Sequence, residues 1–242
     1  MLSGRRAFLT GGANGIGAAI ARQLAGEGAE VVIADLDIEA AERLARDIGA
    51  CAVQLDVTEL ARVREVVSER GPFHILVNNA GVDQHAYFTQ TTVDDWRKLI
   101  AVNLESVFAT THAALPAMQA AGFGRIVNIA SEAGRMGSRG GAVYAAAKGG
   151  VIAFTKSIAR ENGHKGITAN VIAPGPIDTP LLRKAVARGG DKLMQAMTSA
   201  TLTGRLGTPD EVAAAVAFLV SDAAGFITGE TLGVSGGMGC GQ

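Results

Sequence analysis

The glycine-rich stretch TGGANGIG, residues 10–17, decides the fold class of this chain. It closes the strand-like run RAFLT (residues 6–10) and opens a helix-like segment over residues 16–28. In this setting Gly11 and Gly15 allow a tight backbone beside a pyrophosphate, and Gly17 allows close packing of the helix. The N-terminus of that helix adds unpaired N–H groups and a positive dipole. The stretch therefore predicts a phosphate-binding turn between the first strand and the first helix.

Short apolar runs alternate with helix-like segments along the rest of the chain. The strand-like runs are EVVIAD (30–35), AVQLDV (52–57), HILVNNAG (74–81), RIVNIAS (125–131), TANVIAPG (168–175) and ETLGVSGG (230–237), and a helix is expected over residues 38–48. Such an alternation is typical of a parallel sheet with helices on both faces. The sequence predicts an α/β fold with a doubly wound, Rossmann-type parallel sheet, in a single domain over residues 1–242. Residues 177–205, with helix-like pieces around Gly189 and Gly190, are predicted to form a substrate lid.

Composition and charge exclude several classes of function. The formal net charge is −1 and no long run of like charges occurs, which argues against a nucleic-acid surface or a membrane-surface helix. No apolar run is long enough to span a bilayer, and strand-like sequence begins too early for a signal peptide. The two cysteines and four histidines show no metal-ligand spacing. We expect a soluble, cytoplasmic protein with a small-molecule partner and no metal ion. His85, four residues after NNAG, is expected to face the pocket.

Asp35 ends the second strand 18 residues after Gly17, where an acidic side chain hydrogen-bonds the ribose of a bound dinucleotide. Asp37 competes for this role but is more simply the residue that starts the next helix. Because Leu36 and the glycine-rich turn offer no cation for a 2′-phosphate, the sequence favours NAD over NADP. The residues expected to contact NAD from the first four strands are Gly11, Asn14, Gly15, Ile16, Gly17, Asp35, Leu36, Asp56, Val57, Asn79, Ala80 and Gly81.

Tyr144 and Lys148 are four residues apart, so on a helix they share one face. We expect the ammonium to lower the pKa of the Tyr144 phenol from its usual value of about 10. A tyrosine of this kind can take a proton from a secondary alcohol, or return one to a carbonyl, as hydride moves to or from a nicotinamide. With Ser131 upstream, the pattern predicts an oxidoreductase.

These motifs together resemble the short-chain dehydrogenase/reductase family. TGGANGIG, NNAG, Asn103 in AVNL, Ser131 in NIAS, YAAAK and PGPIDT occur in the order and spacing of that family, over essentially the whole chain. The resemblance implies that Asn103, Ser131, Tyr144 and Lys148 are catalytic, with Asn103 supporting a water relay; a structural kink is the alternative role for Asn103. It also implies that Tyr144, Lys148, Pro174, Gly175, Ile177 and Thr179 contact the nicotinamide half of the cofactor, and that the protein is a homotetramer.

The substrate is the least constrained prediction. The pocket wall is expected to include Ser131, Ala133, Met136, Tyr144, Leu181 and Met194, with Leu182 and Met197 nearby. Arg135, Arg139, Arg183, Lys184, Arg188 and Lys192 form either a cationic rim for the phosphates of coenzyme A or a solvated basic face. Within the family, the chain is most similar to 2-hydroxycyclohexanecarboxyl-CoA dehydrogenase and related hydroxyacyl-CoA dehydrogenases. The alternatives are a 3-oxoacyl-acyl-carrier-protein reductase, whose usual NADP preference Asp35 does not match, and a non-catalytic dinucleotide-sensing scaffold.

Overall fold

The computed structural model describes residues 1–240; the side chains of residues 181, 184, 185, 187–189 and 191 lie outside that description. Seven parallel strands form one sheet in the order β3-β2-β1-β4-β5-β6-β7. The strands are β1 (Arg6–Thr10), β2 (Glu30–Asp35), β3 (Cys51–Gln54), β4 (Ile75–Asn78), β5 (Gly124–Ile129), β6 (Ile167–Pro174) and β7 (Thr231–Val234). The predicted α/β fold with a doubly wound parallel sheet is confirmed.

Helices cover both faces of this sheet. They are α1 (Gly15–Gly26), α2 (Ile38–Ile48), α3 (Leu60–Arg70), α4 (Val93–Ile100), α5 (Ser106–Ala121), α6 (Ala133–Met136), α7 (Ala142–Asn162), α8 (Pro180–Ser199) and α9 (Pro209–Val220). A π-helical turn, Ala101–Glu105, joins α4 to α5. Within the described part of the chain, no helix is both long enough and apolar enough to cross a membrane.

The apolar core lies in two layers because successive side chains of a strand point to opposite faces. Leu9 and Ile33 face one layer, in which α1 packs against α9. Phe8 and Leu76 face the other, in which α3 packs against α5. The side chain of Met118 on α5 is fully buried in this second layer. Each Å² of buried apolar surface stabilises the fold by roughly 25 cal/mol. Because both faces of the sheet are buried, the sheet is a stable support for the loops at its carboxyl edge.

Local signals set most of the element boundaries. Asp37 accepts a hydrogen bond from the Ala40 N–H at 3.0 Å, so its role as the start of α2 is confirmed. Helix α1 ends at Gly26, two residues before the predicted end, and Gly28 turns the chain with a φ of 93°. Gly190 interrupts α8 with a φ of 71°, at the break that the glycine pair predicts. These boundaries place the strand ends and the starts of α1 and α7 around one cleft.

Candidate active site

A cleft of about 1040 Å³ opens at the carboxyl edge of the sheet. The ends of β1, β2, β4, β5 and β6 and the N-terminal parts of α1 and α7 line it. Ligands bind in this crevice of doubly wound sheets, at the point where the strand order reverses. Here the order reverses between β1 and β4, so the topology and the cavity agree on the location of the site.

The glycine-rich turn forms one end of the cleft. A side chain at Gly17 would overlap the carbonyl oxygen of Gly11, and a Cβ at Gly11 would lie 2.8 Å from the Ala80 Cα. Asn14 precedes α1 but makes no side-chain bond to the N–H groups of its first turn. Those N–H groups therefore remain available to an anion at the helix N-terminus. This donor set fits the pyrophosphate of a dinucleotide.

Asn79 braces this turn from the neighbouring strand. Its side-chain amide donates to the carbonyl oxygens of Gly11, at 2.7 Å, and Thr10, at 3.2 Å. The Thr10 hydroxyl in turn accepts from the backbone N–H groups of Asn79 and Ala80. The NNAG segment thus fixes the shape of the phosphate turn across the sheet.

Asp35 stands at the end of β2, on the other side of the turn. Its carboxylate accepts hydrogen bonds from the N–H groups of Ala13, at 2.9 Å, and Asp37, at 3.0 Å. These bonds hold the carboxylate at the cleft wall, where its remaining lone pairs can accept from ribose hydroxyls. The lysines and arginines among the described lining residues, Lys98, Arg139 and Lys148, come from α4, the loop before α7, and α7. None of them comes from the β2 end of the cleft.

The residues predicted to transfer the proton, Ser131, Tyr144 and Lys148, lie at the opposite end of the cleft. Lys148 is 4% exposed, and its ammonium donates to the Ile129 carbonyl oxygen at 2.9 Å. The Lys148 Nζ lies 5.8 Å from the centroid of the half-buried Tyr144 ring. Ser131 ends the loop after β5, and its hydroxyl oxygen accepts from the Ala133 N–H at 3.1 Å. Burial, an ammonium and two hydroxyls in one place are what general acid–base chemistry needs.

The predicted lowering of the Tyr144 pKa is wrong for this arrangement. Burial and, to a smaller extent, the Asp83 carboxylate together raise the pKa of the phenol to about 12, against the lowering effect of its hydrogen bond with the Ser131 hydroxyl. Burial also lowers the pKa of Lys148 to about 8, against the effect of Asp83. Desolvation disfavours the charged form of each group, and it outweighs the attraction that the spacing suggested. Tyr144 therefore holds its proton at neutral pH.

Asn103 lies in the π-helical turn between α4 and α5. Its side-chain amide donates to the carbonyl oxygens of Val82 and Leu99, and its oxygen accepts from the Val82 N–H. These three bonds tie the loop after NNAG to the helix kink. The contacts match the structural role considered for Asn103, and the water relay stays a prediction.

The cleft brings together every residue predicted for the cofactor and for catalysis, from Gly11 after β1 to Thr179 before α8. Ala133, Leu182 and Met197 also line it, and so does His85, as expected. Met136 and Met194 are half-buried but do not line the cleft, and the Leu181 side chain lies outside the described residues. That the two methionines contact the substrate therefore stays a prediction.

Sequence reasoning missed several residues of the site. Asp83, Lys98 and Met238 line the cleft, and the Asp83 carboxylate lies 3.5 Å from the His85 imidazole. The position of Asp83, two residues after NNAG, was a signal that it lies near the pocket. Nothing in the sequence places Lys98 or Met238 there. Among the described side chains, no cluster of histidines, cysteines and carboxylates could hold a metal ion.

Two arginines of the predicted cationic rim are already paired with carboxylates, and the side chains of Lys184 and Arg188 lie outside the described residues. Arg135 pairs with the buried Glu132 carboxylate at 3.3 Å, and Arg183 pairs with Asp178 through two bonds of 2.7 and 2.9 Å. Both arginines are thus neutralised by carboxylates close in sequence. Arg139 lines the cleft with its guanidinium 5.6 Å from the Tyr87 ring centroid.

Comparisons with known proteins agree with this geometry. The family model described as "Enoyl-(Acyl carrier protein) reductase" matches residues 11–239. The 3-oxoacyl-[acyl-carrier-protein] reductase of Salmonella typhimurium is 42% identical over 241 residues, which is 97% of each chain. The acetoacetyl-CoA reductase of Shinella zoogloeoides is 40% identical over 96% of this chain and 98% of its own.

Two solved structures show the same likeness in three dimensions. A putative gluconate dehydrogenase from Agrobacterium tumefaciens superposes with a TM-score of 0.94 at 32% identity, covering 100% of this chain and 98% of that one. A structure titled "short chain dehydrogenase/reductase family protein" gives a TM-score of 0.92 at 37% identity, with 98% of both chains covered. The chain therefore belongs to the short-chain dehydrogenase/reductase family, whose oxidoreductases use a nicotinamide dinucleotide on a secondary alcohol or ketone.

Proposed function

We propose that this protein uses NAD to interconvert 3-oxoacyl and 3-hydroxyacyl thioesters, with coenzyme A as the preferred carrier. The observation that carries the proposal is the grouping of Tyr144 and Ser131 with the buried Lys148 at one end of a cleft whose other end is a phosphate turn. The names of two relatives, acetoacetyl-CoA reductase and 3-oxoacyl-[acyl-carrier-protein] reductase, support a thioester substrate. 2-Hydroxycyclohexanecarboxyl-CoA stays a narrower prediction within this class, and an acyl-carrier-protein substrate stays the alternative. A non-catalytic scaffold is disfavoured because the complete proton-transfer group is present.

The protonated phenol of Tyr144 is the form that reduction of a ketone requires. With a pKa of about 12, Tyr144 carries a proton that it can donate to the substrate oxygen. The Ser131 hydroxyl can hydrogen-bond the same oxygen, and the Lys148 ammonium then stabilises the phenolate that remains. A bound nicotinamide supplies the hydride. The phenolate must regain a proton from solvent before the next turnover, and the predicted water relay at Asn103 would be a route for it.

Asp35→Ala is expected to weaken discrimination between NAD and NADP. Wild type should prefer NAD, and the substitution should move the ratio of kcat/KM values towards NADP by about tenfold or more, since hydrogen bonds to charged groups are worth roughly 1.5–3 kcal/mol. The measurement is kcat/KM with both cofactors at a fixed ketone concentration.

Asp37→Ala is the matched control for this experiment. Asp37 caps α2 two residues away, so its loss should lower the melting temperature, by removing about 1 kcal/mol of stability, without moving the cofactor ratio. A wild-type preference for NADP, or an unchanged ratio in Asp35→Ala, would show that Asp35 does not select the cofactor.

The carrier is tested by changing only the handle of the substrate. A 3-oxoacyl-CoA should have a kcat/KM about tenfold or more above that of the same acyl group on a short uncharged thioester, because each charge-assisted contact to phosphate is worth roughly 1.5–3 kcal/mol. The advantage should shrink with added salt and in Arg139→Gln and Lys98→Gln, whose side chains line the cleft.

Arg183→Gln serves as the control for charge, because Asp178 already neutralises Arg183 and neither residue lines the cleft. Equal kcat/KM for the two thioesters would remove coenzyme A and leave a free secondary alcohol as the substrate. A preference for the acyl-carrier-protein form over both would select the alternative.

Three further expectations belong to this proposal. Residues 177–205 act as a substrate lid, from which Leu182, Met197 and Ala200 line the cleft. The homotetramer and the cytoplasmic location stay predictions. The lid is consistent with the break at Gly190, where the backbone of α8 leaves its helical path.

A further inference from the structure

The start of α7 lacks a cap of its own. Gly141 precedes the helix and provides no side-chain hydrogen bond, and no acidic residue lies in the first turn. The first N–H groups of a helix have no partner within it and need one from elsewhere. In α7 these groups belong to Ala142, Val143 and Tyr144, so the unsatisfied end of the helix is also the segment that carries the catalytic phenol.

Gln84 fills this need from about 60 residues away in the chain. Its side-chain oxygen accepts from the N–H groups of Val143, at 3.1 Å, and Tyr144, at 3.2 Å. Its amide nitrogen donates to the Ala86 carbonyl oxygen at 3.1 Å. These partners fix the orientation of the Gln84 amide, because two N–H donors face its oxygen and a carbonyl acceptor faces its nitrogen. The Gln84 residue is 8% exposed, so these bonds are sheltered from water.

The same loop is joined to the entry of α7 by a further bond. The Ala86 N–H donates to the Gly140 carbonyl oxygen at 3.0 Å. Asp83, next to Gln84, accepts the Gln84 N–H at 2.7 Å, and its carboxylate is one of the charges that act on Tyr144 and Lys148. The loop therefore holds both the backbone of Tyr144 and the acidic group beside its phenol.

We propose that Gln84 is a positioning residue that fixes Tyr144 relative to Ser131 and Lys148 by capping α7 from the loop after NNAG. This inference rests on the proposed role of Tyr144 as the proton donor. A side chain on a helix extends over the turn that precedes it, so the placement of the phenol follows the backbone of residues 141–144. Displacements of about 1 Å in such a group can cost on the order of a hundredfold in rate.

The first test is kinetic. Gln84→Met keeps the volume of the side chain and removes both of its hydrogen-bonding ends. We expect kcat for ketone reduction to fall by about tenfold to a hundredfold while KM for the cofactor stays nearly constant. Gln84→Glu restores the acceptor for the two helix N–H groups but not the donor to the Ala86 carbonyl oxygen, so it should recover part of the turnover lost in Gln84→Met. Gln119→Met is the matched control, because Gln119 anchors the far end of α7 through Asn162 at 2.7 Å.

The second test reads the phenol without relying on turnover. The chain has two tyrosines, so in a Tyr87→Phe background the ultraviolet absorbance of tyrosinate reports Tyr144 alone. Adding Gln84→Met should let water reach the phenol and shift its ionisation to lower pH, whereas Gln119→Met should leave it unchanged. This titration tests the role of Gln84 separately from the proposed thioester reduction. If the wild-type protein reduces no thioester, the titration still shows whether Gln84 positions Tyr144.

Three results would overturn the role of Gln84. They are wild-type kcat in Gln84→Met, an unmoved tyrosine titration, and failure of Gln84→Glu to recover turnover. Should Gln84→Met not fold, Gln84→Asn replaces it, because its amide is one methylene too short to reach both the helix and Ala86. The predictions for Gln84→Asn are the same loss of kcat and the same shift in the titration.

Discussion

Tyr144→Phe is expected to lower kcat for ketone reduction by about 10²–10⁴-fold, the usual contribution of a positioned acid. The substitution removes the phenolic hydroxyl alone, and the glycine-rich turn and Asp35 that would bind the cofactor lie at the other end of the cleft. Cofactor affinity, measured by fluorescence of the reduced nicotinamide, should therefore change little. Tyr87→Phe, at an exposed position near Arg139, controls for the loss of a tyrosine.

The pH dependence of wild type tests the same assignment. Tyr144 stays protonated up to a pKa of about 12, whereas Lys148 loses its proton through a pKa of about 8. Reduction should therefore be constant at lower pH and should slow as the pH rises through about 8, because the phenolate left after proton transfer loses its nearest cation. Appreciable turnover by Tyr144→Phe with this profile intact would remove Tyr144 from the role of acid.

Gly17→Ala is expected to abolish cofactor binding and to destabilise the fold. The new methyl group would overlap the Gly11 carbonyl oxygen and lie 2.7 Å from the side-chain nitrogen of Asn79. The phosphate turn can accept it only by moving away from α1, which costs about 1–3 kcal/mol or more in a tightly packed site. Thermal unfolding with and without NADH measures both effects, since a ligand that binds only the folded state raises its stability.

Gly26→Ala provides the control in the same helix. Nothing lies within 4 Å of a Cβ at Gly26, its φ is not positive, and alanine is better than glycine in a helix by about 1 kcal/mol. Gly26→Ala should raise the melting temperature and leave the NADH-induced shift intact. A Gly17→Ala protein that still gains stability from NADH would show that this close approach does not shape the cofactor site.

The sequence predicted the parts of the molecule that depend on local patterns. The turn at residues 10–17, the cap at Asp37 and the break at Gly190 follow from spacing and backbone chemistry within a few residues. The common location of the predicted site residues followed from the rule that the carboxyl ends of parallel strands share one edge. The family resemblance supplied the role of Asn103, for which the structure instead shows three structural bonds.

Long-range electrostatics could not be predicted in this way. The spacing of Tyr144 and Lys148 places them on one helix face, but it does not reveal how deeply both are buried or that Asp83 lies beside them. The capping role of Gln84 likewise cannot be predicted from local sequence, because the N–H groups that it accepts from come about 60 residues later. The Arg135 ion pair is different, since Glu132 three residues earlier was a readable signal that the basic rim would be partly neutralised.

The order of the strands has a consequence for how such a protein can change over evolutionary time. Asp35, the side chain proposed to select the cofactor, ends β2 on one flank of the sheet, while Tyr144 and the wall residue Met238 follow β5 and β7 on the other. A substitution confined to the loop after β2 changes no side chain at the ends of β5 and β7, although the two flanks share the core layer in which α1 packs against α9. Substrate specificity can therefore change in evolution while coenzyme specificity is kept, or the reverse, through intermediate variants that still fold.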